Sequence, residues 1–115
     1  MVLKDKITLN DLMEKHNHWY PDRVKFCVDR KRKVIAIDRE MHIEMEHELY
    51  DDGSEYSDIF GGDILTEEDG LRILWEAHPN IERNRELQIG AGRPLVNEAI
   101  ISELTEIIQQ WIQEG

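Results

Sequence analysis

Near the end of the chain, apolar side chains recur with the period of an α-helix. Ile100, Ile101, Leu104, Ile107, Ile108, Trp111 and Ile112 fall on one broad stripe, with Ser102, Glu106 and Gln109 opposite. Asn97 is a good N-cap for this helix, and Glu98 suits its dipole. A stripe this wide leaves water only against a broad apolar surface, so the rest of the chain is expected to supply a sheet. At 115 residues there is room for one core and not for two, which makes residues 1–115 a single expected domain.

The strands are legible from β-branched and alternating runs. Val24-Lys-Phe-Cys-Val-Asp29 and Val34-Ile-Ala-Ile-Asp38 flank Arg30-Lys-Arg-Lys33, the pattern of a hairpin with a basic loop. Four cations at a hairpin tip are read as a solubility device before an anion site. Asp58-Ile-Phe-Gly-Gly-Asp-Ile-Leu65 and Leu71-Arg-Ile-Leu-Trp-Glu-Ala77 form a second pair around a turn ending at Gly70, and Gly61-Gly62 marks a bulge or a close backbone approach. A first helix starts at Thr8, with Ile7 and Leu12 as a hydrophobic staple, and Pro21 closes the segment after it. His16 and His18 fall on different faces and are read as loop and surface residues.

Glu40-Met-His-Ile-Glu-Met-Glu-His-Glu-Leu-Tyr-Asp-Asp-Gly-Ser54, in the middle, fits both periods. Read as a strand, Met41, Ile43, Met45, His47 and Leu49 alternate with polar residues; read as a helix, Met41, Met45 and Leu49 stack. Only Ile43 is β-branched, Met, Glu and Leu are strong helix formers, and Gly53 supplies a stop, so a helix is expected. The resulting fold class is α+β, with a mainly antiparallel sheet of about four strands and the order α-β-β-α-β-β-α. Leu104, Ile108 and Trp111 are expected to face the strand of Ile73 and Trp75.

Composition narrows the function classes. Charged residues are 34% and hydrophobic ones 40%, a globular balance. A formal charge of −11 disfavours a nucleic-acid partner, because phosphates would be repelled. From Glu40 to Asp69 there are twelve Asp or Glu and no Lys or Arg, a solvated acidic face or one that attracts basic proteins. No apolar run approaches a membrane span, the first residues lack the apolar core of a secretory signal, and the lone Cys27 cannot pair internally. A cytoplasmic protein is expected.

Candidate chemistry concentrates in the central stretch. His42 and Glu46 share a helical face at i,i+4, and Glu44 and His47 share one at i,i+3. Imidazole with carboxylate is the donor set of zinc, iron or manganese, so His42, Glu46 and His47 are candidate metal ligands. The two histidines are five apart, which does not make the His-Glu-x-x-His motif, and Glu44-x-x-His47 is half of a di-iron motif without its second copy. Gly90-Ala-Gly92 lacks the remaining residues of a phosphate loop. Cys27 sits in a strand pattern, and Ser54 and Ser102 lack a nucleophile elbow. No catalytic residue and no cofactor is therefore assigned.

The order Val24-Lys-Phe-Cys-Val-Asp29, Ile35-Ala-Ile37, Glu40-Met-His42, Glu46, Leu49, Gly53-Ser54 and Asp58-Ile-Phe-Gly61 resembles a family of small bacterial proteins, domain of unknown function 5674. Pro79 with Asn84-Arg85 resembles a later element of that family. The family's Gly-Gly stands as Asp38-Arg39 here, a family Arg as His78, and the stretch from Gly90 to Leu95 looks inserted. The resemblance implies a helix for the central stretch and singles out Glu40, His42, Glu46, Asn84 and Arg85 as matching polar positions, candidates for binding. It implies no activity. His42, Glu46 and Arg85 are expected to lie together. The first functional expectation is a non-enzymatic binding or interaction module for a basic protein or a second copy of itself. The alternative is a metal- or anion-dependent hydrolase built on the central His/Glu helix.

Overall fold

The computed structural model describes residues 1–67, 69–76 and 97–114. The expected α+β architecture is present. β2 (Arg23–Asp29), β3 (Val34–Ile37), β4 (Ile59–Leu65) and β5 (Ile73–Glu76) form an antiparallel sheet in the order β3-β2-β4-β5. Helices α1 (Leu9–Lys15), α2 (His42–Asp51) and α3 (Glu98–Trp111) complete the main elements. The two-residue strands β1 (Ile7–Thr8) and β6 (Ile112–Gln113) pair in parallel. That pairing was not expected: Ile112 leaves the helix in extended conformation and is buried opposite Ile7, tying the entry of α1 to the exit of α3.

Local chemistry explains the boundaries. Thr8 accepts from the Asp11 amide and Asn97 from the Ile100 amide, capping α1 and α3. Met41 precedes α2 without a polar side chain, but Glu44 reaches back to accept from the Met41 amide at 3.0 Å. At its other end, Gly53 (φ 112°) donates to the Tyr50 carbonyl and Ser54 donates to that of Leu49, the paired bonds of a Schellman motif. Asp52, unfavourable at a helix C-terminus, is offset by Lys4 and Arg32 at 2.9 Å each. The basic hairpin loop is likewise committed in part: Arg30 pairs with Glu103, and Arg32 with Asp52 and Ser54.

Strand alternation then sorts side chains onto two sheet faces. Phe26, Val28, Ile35, Ile37, Phe60, Ile64 and Trp75 point to one side and form the main core with Leu12, Leu104, Ile107 and Ile108. Trp75 and the partly buried Ile73 and Trp111 all join this core, but α3 lies mainly across β2 and β3, and the Trp111 indole donates to the Lys33 carbonyl at the hairpin end. The other face carries a smaller cluster of Cys27, Ala36, Ile59, Met45 and Leu49 beneath α2.

Candidate functional site

Three residues from three separate elements meet where α2 begins. His42 is the first residue of α2, and Cys27 on β2 donates through its thiol to the His42 carbonyl at 3.5 Å, fixing that end of the helix over the sheet. The imidazole then lies across β4. An added Cβ at Gly61 would come within 3.0 Å of the His42 ring, so the glycine makes the space the ring occupies. Gly62 serves the opposite face: a Cβ there would meet Phe26 and the Leu74 carbonyl at 2.8 Å. The close approach expected of this glycine pair is thus real on both sides of the sheet.

His42 Nε2 lies 2.8 Å from the Gly62 carbonyl and 3.5 Å from Asp63 Oδ1, while Nδ1 lies 3.0 Å from Glu76 Oε2. Asp63 is fully buried, an arrangement that demands compensation. Arg23 supplies it at Oδ2 (3.0 Å) and Lys25 more distantly at Oδ1 (3.5 Å); both reach Asp63 from β2, where Lys25 is its register partner. Arg23 also pairs with Asp22, and that contact first of all holds the Asp22 carboxyl below its usual range. His42 and Glu76 are partly exposed, so the cluster opens to solvent.

The residues singled out from sequence disperse around this centre. His42 belongs to it. Glu46 is buried on the inward side of α2 with Met45 and Leu49. Glu40 is exposed, and its carbonyl accepts from the Tyr20 hydroxyl at 2.5 Å. His47 faces outward and meets Tyr56 edge to face at 6.1 Å. Asn84 and Arg85 lie outside the described residues, as do His78, Pro79 and the Gly90 to Leu95 stretch, so the expected approach of Arg85 to Glu46 falls there too. Asp63 and Glu76 carry the centre yet were not singled out; the available signal was an acid inside an otherwise apolar strand, next to two glycines.

The outward side of α2 has a different character. Ile43 and Tyr50 are each 52% exposed, and Tyr50 stacks on Tyr56 with ring centres 4.6 Å apart and planes 9° from parallel. Partial burial, then the charges of Tyr50, Asp51 and Glu46, push the Tyr56 hydroxyl above its ordinary range. Farther along the helix, Glu48 holds Arg39 and the Met1 ammonium. Burial alone would raise its carboxyl, but those two hydrogen bonds leave it below the usual range.

Comparison with curated proteins and with solved structures returns no match. A family model described as protein of unknown function (DUF5674) matches residues 1–111, nearly the whole chain, and the protein belongs to that family.

Proposed function

For this member of the DUF5674 family we propose a non-enzymatic binding module, acting in the cytoplasm, that captures a basic segment of another protein on the outer side of α2. The observation that carries this reading is the exposed row Ile43, His47 and Tyr50, extended by the Tyr50–Tyr56 stack. It lies within the stretch that holds twelve acids and no Lys or Arg. Guanidinium groups stack on tyrosine faces and pair with carboxylates, so an arginine-bearing segment matches both properties. Nucleic acid is disfavoured by the charge of −11, and among the described residues no helix is long and apolar enough to cross a membrane.

The test is fluorescence anisotropy of a labelled arginine-rich peptide against the wild type and Tyr50→Ala/Tyr56→Ala. Wild-type binding should weaken steeply as salt rises from about 50 to 300 mM, since exposed charges are screened over that range. The double variant should bind at least about tenfold more weakly, the loss of an anchoring aromatic pair. Equal binding by both proteins would reject the surface. The alternative, a metal- or anion-dependent hydrolase on the same helix, is supported by the His42–Asp63–Glu76 cluster. Both His42 ring nitrogens are directed at oxygen acceptors rather than at a hydroxyl or thiol, which disfavours a covalent nucleophile there.

A further inference from the structure

We propose that His42, Asp63 and Glu76 form a binding site for one divalent first-row transition-metal ion, independent of the outer face of α2. A carbonyl oxygen only accepts hydrogen bonds, so the 2.8 Å contact with Gly62 places a proton on Nε2 of His42. In the neutral ring the lone pair is then on Nδ1, directed at Glu76 Oε2 3.0 Å away. Two lone pairs that close require a proton or a cation between them. A metal ion holding nitrogen and oxygen at about 2.1 Å each keeps neighbouring ligands about 3.0–3.4 Å apart, which matches this pair. The bond from the other ring nitrogen to a backbone carbonyl is the support that orients metal-bound histidines.

One ligand atom from each of the three residues lies within 4.8 Å of the other two. Trans ligands of a small ion are about 4.2 Å apart, and Asp63 Oδ1 lies nearest Nε2, at 3.5 Å, so closure on Nδ1 needs the partly exposed His42 ring and Glu76 to shift toward Asp63. Asp63 presents Oδ1 as its less committed oxygen, because Oδ2 is taken by Arg23 at 3.0 Å whereas Oδ1 has only longer contacts, with Lys25 and with His42 Nε2 at 3.5 Å each. From the same position the Lys25 ammonium also lies over the Tyr20 ring, 5.2 Å from its centre. Glu76 brings a carboxylate charge to the ion, and Asp63 brings a second that it shares with Arg23 and Lys25. The imidazole selects zinc, manganese, iron(II) or cobalt over calcium and magnesium.

The experiment is calorimetric titration of chelator-treated full-length protein with Zn²⁺, repeated with Glu76→Gln and His42→Ala and in excess Ca²⁺. The expected result is one zinc per chain, affinity at least about tenfold lower in each variant, and no competition by calcium. Circular dichroism checks folding; should His42→Ala unfold, the partly exposed Glu76→Gln decides alone. Absence of saturable binding, or binding unchanged by Glu76→Gln, overturns the site. Peptide capture by the outer face is measured separately in metal-free protein, so either proposal can fail without the other.

Discussion

The two faces of the same four strands do different work. Toward α1 and α3 the sheet presents Phe26, Ile35, Ile37, Ile64 and Trp75, a continuous apolar layer. Toward α2, one residue along each strand, it presents Cys27, Ala36 and Ile59 and then gives way to Lys25, Asp63 and Glu76. Apolar burial scales with area, so the first face supplies most of the folding free energy. The second holds a small core and a buried carboxylate whose ion pairs roughly offset its desolvation. A fold that invests its stability on one side can carry chemistry on the other. Neighbouring residues of one strand, Gly61 and Gly62, thus answer to opposite demands.

The largest effect that tests this division is on the apolar face. Phe26 is fully buried and meets Trp75 edge to face at 5.3 Å. Phe26→Ala should destabilise the fold by about 3–5 kcal/mol in chemical denaturation, the usual cost of deleting a core aromatic. A loss below about 1 kcal/mol would mean that this face does not dominate. The two glycines sharpen the contrast. In Gly62→Ala the new methyl meets the Leu74 backbone as well as Phe26, and backbone cannot swing aside, so about 1–3 kcal/mol should be lost. Gly61→Ala presses only on the His42 imidazole, a side chain that can turn. Stability should then change by less than about 1 kcal/mol, while the His42 ring resonances shift in NMR spectra. Equal destabilisation by the two variants would erase the distinction between the faces.

How much of this was legible in the sequence follows the same divide. The apolar face announces itself through period: the stripe from Ile100 to Ile112 leads to the helix Glu98–Trp111, and the alternation that begins at Leu71 leads to the strand Ile73–Glu76. α2 was decided against an equally good strand pattern, and helix propensity with Gly53 pointed the right way because the Schellman motif depends on that glycine. The polar centre was only partly visible. His42 stands out by residue type, but Asp63 and Glu76 become its neighbours through strand register, which places Gly61 opposite Glu76 and Asp63 opposite Lys25. Register is set by pairing partners far apart in the chain and leaves no local trace. Glu46 and His47 stand next to each other in sequence and part company because successive helix positions point about 100° apart, one inward and one outward.

The smallest effect concerns Asp38, where the chain leaves β3 and turns toward α2, joining the two faces. Its backbone is left-handed, φ 62°, a conformation that suits glycine. The aspartate is retained by local bonds: its carboxylate accepts from the His18 amide at 3.1 Å and makes a short contact with His18 Nδ1, while its carbonyl accepts from the Trp19 indole. Asp38→Ala keeps the unfavourable φ and loses the carboxylate bonds, so it should cost about 1–2 kcal/mol. Asp38→Gly loses the same bonds but relieves the backbone, and glycine's freer unfolded chain takes back part of that gain. It should therefore be more stable than the alanine variant by about 0.5–1 kcal/mol, though still no better than wild type. Paired thermal and urea denaturation of the two variants measures the difference. If alanine proves the more stable of the two, the left-handed turn costs the chain nothing, and the carboxylate contacts alone hold this junction between the two faces.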